Sequence, residues 1–141
     1  MKLTTKGRYA VMAMADMATY ANKKPISLTE ISLRQNISLA YLEQLFLKLK
    51  RKNLVKSVRG SNGGYILVKP ASEIRLSNII FAVDETVKTL NCKKESKRGC
   101  NHKAMKCITH NLWDDLEQHI NNFFDSVSLN DLIKQKNKDI N

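Results

Sequence analysis

Apolar positions in the N-terminal half of the chain recur at helical spacing and are separated by short polar segments. A first helix is expected to reach Tyr20, and either Thr4 or Thr5 can cap its start. Ser27 and Glu30 have the spacing of a capping box, in which the serine oxygen accepts from the amide three residues later and the glutamate reaches back. This pattern predicts a short second helix to about residue 35, and Asn36 suits a tight turn after it.

A third helix is predicted after Ser38, which can cap it. One side carries an apolar stripe at helical spacing, formed by Leu42, Leu45, Phe46 and Leu49. The opposite side exposes hydrogen-bonding groups, among them Tyr41, Glu43 and Gln44. Two short helices joined by a tight turn, the second with an exposed polar side, are typical of a helix-turn-helix.

Two β-prone runs follow, at residues 54–58 and 65–68, and the loop "RGSNGG" joins them. Its glycines permit a tight turn, and Arg59 stands at its base. A hairpin with a basic tip after a helix-turn-helix predicts a winged helix. Residues 74–85 are then expected to form a further helix.

The C-terminal half is dominated by one long apolar stripe. It predicts a helix of roughly twenty residues from about residue 103, with these apolar positions: Met105, Ile108, Leu112, Leu116, Ile120, Phe123, Phe124 and Val127. So small a domain has little surface left to cover this stripe, which favours a dimer seam. The alternative is that the helix folds back on its own core. A short last helix and a frayed tail are expected at the C-terminus.

Charge separates the two halves of the chain. The protein has 141 residues and a net charge of +11. Residues 1–69 carry 13 Lys or Arg and three acidic residues, whereas residues 70–141 carry 11 and 10. A basic half beside a near-neutral half indicates that one end meets a polyanion such as DNA. The alternatives are a generic solubilising charge and a winged helix that binds protein.

Neither a membrane nor a secretory route is indicated by the sequence. It has no apolar run of 18 residues and no N-terminal signal pattern, so a cytoplasmic protein without membrane contact is expected. An odd number of cysteines, three, argues against a disulfide framework. No phosphate-binding glycine loop, paired carboxylates or nucleophile–base motif is present, which argues against an enzyme.

The exposed side of the third helix offers groups that can read DNA. Gln44 can pair bidentately with adenine, and Ser38 and Tyr41 suit phosphate contacts near the partial positive charge at the helix start. Arg59 on the wing can enter a minor groove or bind a phosphate. Glu43 either accepts from cytosine N4 or is a plain surface residue.

All three cysteines lie in one basic segment, with the spacing Cys92-x7-Cys100-x6-Cys107-x2-His110. The thiols are not paired two to four residues apart, as a zinc finger or a CxxC redox pair would require. Cys107 and His110, at i and i+3 on the predicted helix, can face one ion, and the other two thiols must arrive from the loop.

Three thiolates and one imidazole fit a 2Fe–2S cluster, because such clusters use thiolates and can accept histidine at one iron. The bound cluster would be negatively charged, and residues 88–107 hold seven Lys or Arg and one Glu to stabilise it. His102 is a competing fourth ligand, and a structural zinc is an alternative to the cluster. His119, outside the segment, is interpreted as an ordinary helix residue.

The strings "KLTTKGRYAVMAM", "ISLAYLEQLF", "SVRGSNGGY", "AVDE" and "CITHNLWDDL" resemble the small winged-helix regulators that include IscR, NsrR and CymR. The similarity covers almost the whole chain and is closest to the IscR type. It implies a homodimeric transcription factor that binds operator DNA through the matching residues Ser38, Tyr41, Gln44 and Arg59. It also places Glu43 where the cluster changes the choice of DNA site.

The resemblance further implies a 2Fe–2S cluster held by Cys92, Cys100, Cys107 and His110. It implies repression of iron–sulfur assembly genes while the cluster is present, with the iron–sulfur assembly machinery as the cluster donor. Alternatives are a nitric-oxide-sensing repressor of the same family and a zinc-stabilised nucleic-acid-binding protein.

The expected fold is therefore mainly α with a small β-hairpin wing. A winged helix-turn-helix domain is assigned to residues 1–85 and a cluster-binding loop to residues 86–110. A dimerisation helix and a short C-terminal helix are assigned to residues 103–135.

Overall fold

The structure of the protein, a computed structural model, describes residues 3–20, 24–86 and 107–140. Two antiparallel strands, a single 3-10 turn (Ala71–Glu73) and six α-helices occur in these ranges. Their bounds in chain order are α1 (Thr5–Tyr20), α2 (Leu28–Gln35), α3 (Leu39–Arg51), β1 (Val55–Val58), β2 (Gly64–Leu67), α4 (Leu76–Ala82), α5 (His110–Ser126) and α6 (Leu129–Ile140). The mainly helical fold with a hairpin wing is confirmed.

Local capping motifs determine where the two helices of the helix-turn-helix begin and where the first one ends. Ser27 Oγ accepts from the Glu30 amide at 3.2 Å, and the Glu30 carboxylate accepts from the Ser27 amide at 3.0 Å, so the predicted capping box is confirmed. Asn36 ends α2 in left-handed geometry, with φ 54°. Ser38 Oγ then accepts from the Tyr41 amide at 3.1 Å and caps α3.

The core lies between α1, α2, α3 and α4. The whole predicted apolar stripe of α3 is buried in it, with Leu42, Leu45, Phe46 and Leu49 at most 2% exposed. Asp16 on α1 is a charged residue that is buried as well.

Asp16 is matched by two side chains of α2. Arg34 donates to its carboxylate at 2.7 and 2.9 Å, and Gln35 donates at 2.8 Å. The Asp16 hydrogen bond raises the pKa of Arg34 above its ordinary value. Because a buried carboxylate is tolerated only when its oxygens are hydrogen-bonded, this cluster fixes α2 against α1.

The wing is fastened to the start of the helix-turn-helix. β1 pairs with β2 in the register Val55↔Leu67 to Val58↔Gly64. Ile26 and Tyr65 exchange two backbone hydrogen bonds, at 3.0 and 2.8 Å. Gly64 has φ 155°, and a Cβ there would collide with the backbone of Ile26, so the approach requires glycine.

Two helices differ in length from the sequence expectation. α4 is shorter than residues 74–85, because Arg75 is extended before the helix and Asp84 is left-handed after it, with φ 61°. α6 is longer, since residues expected to fray continue the helix to Ile140. Leu129 at its start is fully buried in the core, and this anchors the helix.

The C-terminal part is joined to the winged helix through backbone pairing. The Leu76 amide donates to the Val127 carbonyl at 2.9 Å, and the Leu129 amide donates to the Ile74 carbonyl at 3.0 Å. α6 packs on α1, so its first turn shares the core of the N-terminal domain. The division at residue 85 stays a prediction. None of the helices in the described ranges is long and apolar enough to cross a membrane.

Candidate nucleic-acid interface and metal centre

Ser38 lies at the exposed start of α3, where the partial positive charge of the helix is concentrated. Its oxygen accepts from the Tyr41 amide, so the hydroxyl hydrogen remains available for an acceptor such as a phosphate oxygen. The position therefore suits the phosphate contact that the sequence predicts.

Tyr41 is half-buried and held by a neighbouring ring. Its side chain meets Tyr9 of α1 edge to face, with ring centroids 5.8 Å apart. A phenol anchored on the core in this way is a rigid group at the edge of the exposed surface. The predicted DNA contact of Tyr41 stays a prediction.

Glu43 and Gln44 are exposed on the same side of α3. Ala40 and Leu47, one turn before and after them, are exposed as well, and Leu47 keeps 55% of its surface. Apolar groups on a reading helix can contact the methyl group of thymine. Leu47 was not identified as a surface residue from the sequence. It lies three residues after Gln44 and four after Glu43, and this spacing places all three on one side of α3.

The wing is connected to the third helix by a side-chain hydrogen bond. Lys50 Nζ donates to Ser57 Oγ at 3.0 Å, and Arg59 follows two residues later as an exposed side chain. Lys56 on β1 is exposed too and was not singled out from the sequence. A basic hairpin fastened to an exposed polar helix can contact the sugar–phosphate backbone beside the groove that the helix reads.

Lys48, near this surface, is paired with an acidic side chain of the protein. Lys48 Nζ lies 3.0 Å from Asp84 Oδ2, across the step from α3 to the end of α4. The Lys48 hydrogen bond holds the pKa of Asp84 below its usual value. An exposed pair of this kind adds little stability, but it reduces the positive charge that Lys48 presents.

A carboxylate missed by the sequence reading holds the first turn of α1. Buried Glu85 accepts from the backbone amides of Thr4 and Gly7, both at 3.1 Å. A Cβ on Gly7 would overlap the end of the Glu85 side chain, so a larger residue there would displace this carboxylate. Glu85 thereby fastens the chain just after α4 to the first turn of α1.

At the far end of the segment, Cys107 and His110 share a turn. Cys107 is half-buried, and its carbonyl accepts from the His110 amide at 3.0 Å. His110 is buried and begins α5. The sequence had placed Cys107 inside the helix; it lies three residues before it. A soft thiolate and an imidazole on one turn are suitable ligands for an iron–sulfur cluster or zinc.

The rest of the predicted ligand set lies outside the described residues. It consists of Cys92, Cys100 and the competing His102, and Met105 lies outside these ranges as well. Within the described ranges, no three His, Cys, Asp or Glu side chains are grouped for a metal ion. His119 is exposed on α5, as expected of an ordinary helix residue. The four-ligand assignment stays a prediction.

Thr109 contacts groups on both sides of it. Its Oγ1 lies 3.8 Å from Cys107 Sγ and accepts from Trp113 Nε1 at 3.2 Å. The sequence reading did not single out Thr109, because a threonine between two ligands has no signal of its own in a spacing pattern.

α5 leaves much of its apolar side uncovered. Phe124 packs against the core near the end of the helix, but Leu112 and Phe123 are 59% and 60% exposed. Ile108, just before the helix, is fully exposed. The observed helix has 17 residues and begins at His110.

Comparison with known proteins gives consistent results. A family model described as Rrf2, iron-dependent transcriptional regulator, matches residues 3–135. The chain is similar to the HTH-type transcriptional regulator IscR of Photorhabdus laumondii, with 49% identity over 136 residues, 96% of this chain and 81% of the relative.

Solved structures agree. T. potens IscR has a TM-score of 0.77 at 34% identity, covering 96% of this chain and 88% of its own. CymR, the global cysteine regulator of B. subtilis, has a TM-score of 0.81 at 30% identity, covering 96% and 98%. These relatives are regulators rather than enzymes.

Proposed function

Because the chain belongs to the Rrf2 family of iron-dependent transcriptional regulators, we propose that it is a homodimeric repressor controlled by a bound 2Fe–2S cluster. DNA-binding regulation follows from the family. Control of iron–sulfur assembly genes is proposed from the resemblance to IscR-type regulators. Repression is relieved when clusters are scarce and the regulator loses its own.

The observation that carries this proposal is the turn formed by Cys107 and His110 at the start of α5. It presents a thiol and an imidazole beside the helix with the uncovered apolar side. Cys92 and Cys100 would complete the ligand set. When bound, a 2Fe–2S cluster supplies a group that can be oxidised, reduced or lost as iron and oxygen supply changes.

Dimerisation is supported by the exposure of Leu112 and Phe123. A second copy is the proposed occupant of this surface, because a twofold protein matches the twofold symmetry of an operator. In the DNA complex, Ser38, Tyr41 and Arg59 bind phosphates, while Gln44 and Glu43 read base edges.

The first test is cluster loading. Protein reconstituted anaerobically with iron and sulfide should hold two of each per protomer, with visible absorbance. His110→Ala should weaken or abolish that absorbance, whereas the matched control His119→Ala, on the exposed side of the same helix, should leave it unchanged. Protein that stays colourless and binds zinc instead would contradict the proposal. A different cluster destroyed by nitric oxide would favour the nitric-oxide sensor.

The second test concerns DNA. A duplex selected by the wild-type dimer from a random pool should bind holo and apo protein with different affinities. Gln44→Ala should weaken binding by about 1–3 kcal/mol, about 5- to 150-fold in Kd, because a bidentate base contact is lost. Gln118→Ala on α5 is the control and should bind as wild type. Equal losses in both variants would contradict the assignment of Gln44 to the reading surface.

A further inference from the structure

We propose that Thr109 donates a hydrogen bond to the sulfur of Cys107 and thereby raises the reduction potential of the bound cluster. The inference rests on the proposed function, since it assigns a tuning residue to the same metal centre. Thr109 is not a ligand in this assignment. It acts through the sulfur of its neighbour.

The direction of the hydrogen bonds follows from the chemistry of the three groups. An indole N–H can only donate, so Trp113 Nε1 donates to Thr109 Oγ1 across their 3.2 Å separation. The hydroxyl hydrogen of Thr109 is therefore left for another acceptor. Cys107 Sγ is 3.8 Å away, and a metal-bound cysteine is a thiolate with no hydrogen of its own. The hydroxyl must be the donor.

Thr109 is not used as an ordinary helix cap. It occupies the N-cap position of α5, where threonine commonly accepts from an amide of the first turn. Among the described residues its side chain makes no such capping bond. The Trp113 amide donates to the Thr109 carbonyl at 3.2 Å, which holds the two residues one above the other. The hydroxyl is thereby held between the indole and the sulfur.

The relay has an electrostatic consequence. Donation from Trp113 polarises the hydroxyl and makes it a better donor to Cys107, because hydrogen bonds in a chain strengthen one another. One-electron reduction adds a negative charge to the centre. Hydrogen bonds to its sulfurs favour that more negative state, so the potential should rise when the bond is present.

The test is an anaerobic redox titration of reconstituted protein with a chemical reductant, followed by absorbance. Thr109→Val removes the hydroxyl at nearly unchanged shape and should lower the potential. At the solution potential where the wild type is half reduced, the reduced-to-oxidised ratio of Thr109→Val should be about tenfold lower than that of the wild type. For one electron this corresponds to a reduction potential about 59 mV lower. Thr109→Ser keeps the donor and should match the wild type. Trp113→Phe leaves the hydroxyl but removes its polarising partner, and should give a smaller fall.

A second readout separates hydrogen bonding from packing. Exchange into D2O should shift the iron–thiolate stretching frequencies of the wild type in resonance Raman spectra, and Thr109→Val should lose part of that shift. If fully loaded wild type and Thr109→Val have equal reduction potentials and equal D2O shifts, this inference is overturned and the proposed function is left intact. A fall in Thr109→Ser as large as in Thr109→Val would have the same consequence.

Failure to load is also decisive. If the wild type takes up no cluster, the proposed function fails and this inference fails with it. If only Thr109→Val fails to load, Trp113→Phe becomes the deciding variant, and a wild-type potential in that variant would overturn the inference.

Discussion

The third and fifth helices have the same amphipathic pattern but different surroundings. In α3 the apolar residues Leu42, Leu45, Phe46 and Leu49 are at most 2% exposed. In α5, all of which is described, His110 alone is buried, while Leu112 and Phe123 are more than half exposed. Periodicity shows that a helix has a side to bury. It does not show which chain will cover that side.

The difference separates two kinds of stability. The apolar side of α3 is covered by helices and strands of its own chain, so truncating it should destabilise every protomer. In the proposed dimer a second copy covers the outer part of α5, so changing it should weaken association and leave the protomer folded. Paired variants on the two helices test this contrast directly.

Phe46→Ala should give the largest effect. The ring is fully buried in the core and meets Tyr65 of the wing edge to face, with centroids 4.9 Å apart. Its loss should lower the free energy of unfolding by about 3–5 kcal/mol, measured by urea denaturation at fixed protomer concentration.

The neighbouring residue provides the control for this variant. Leu47 is on the same helix and 55% exposed, so Leu47→Ala should change the free energy of unfolding by no more than about 0.5 kcal/mol. Similar losses for the two variants would mean that α3 is not packed as described.

Leu112→Asp should have its main effect on association. In the proposed dimer, a charge on the covered side of α5 must be desolvated, and a loss of about 2 kcal/mol, the size of a hot-spot contribution, is about 30-fold in the dimer dissociation constant. Sedimentation at several concentrations measures this shift, and circular dichroism should show a folded protomer.

Leu33 is the matched control for the seam. This leucine on α2 is 80% exposed, more than Leu112, but it lies away from α5. Leu33→Asp should dimerise as wild type. If Leu112→Asp also dimerises as wild type, the covered surface lies elsewhere and the comparison of the two helices fails.

Features set within a few residues were predicted well from the sequence. The capping box at Ser27 and the cap at Ser38 each join groups three positions apart, and the left-handed turn at Asn36 depends on the residue type at one position. Such motifs are determined by residues close together in the sequence, so residue type and spacing identify them. The hairpin followed from β-prone runs on either side of a glycine-rich loop.

Features made by distant parts of the chain were not predicted. Glu85 caps α1 from 78 and 81 residues away, and no local pattern links it to Gly7 or Thr4. The buried charge of Asp16 was equally invisible, because its partners come from another helix. The tail from residue 134 was expected to fray because its sequence is polar, whereas α6 continues to Ile140.

The candidate site was predicted by residue type rather than by arrangement. Spacing suggested Cys107 and His110 as a pair, but it placed the cysteine within the helix instead of in the turn before it. Helix starts depend on which backbone amides find acceptors, and a run of polar residues leaves that choice open. Thr109 was identified only from the structure, by its contacts with Trp113 and Cys107.

Asp131→Asn should have the smallest effect on stability. Asp131 lies in the first turn of α6, which follows the end of α5. Asp131 accepts from the Ser128 amide at 2.9 Å and Ser128 Oγ accepts from the Asp131 amide at 3.2 Å, so the two residues form a cap on α6. The hydrogen bond from the Ser128 amide is the main cause that holds the pKa of Asp131 below its ordinary value. The ionised carboxylate is therefore favoured in the folded state.

The sign of the pH dependence follows from this lowered pKa. A carboxylate with a lower pKa in the folded state stabilises the protein above its unfolded pKa, about 3.9. That contribution is lost as the pH falls through the folded value. Wild type should thus be slightly more stable than Asp131→Asn at pH 7, and the gap should shrink below about pH 4. Thermal unfolding of both proteins at each pH measures the gap, with Asp115→Asn, an exposed position on α5, as the control. A gap that stays constant across this range would show that the charge on Asp131 does not stabilise the start of α6.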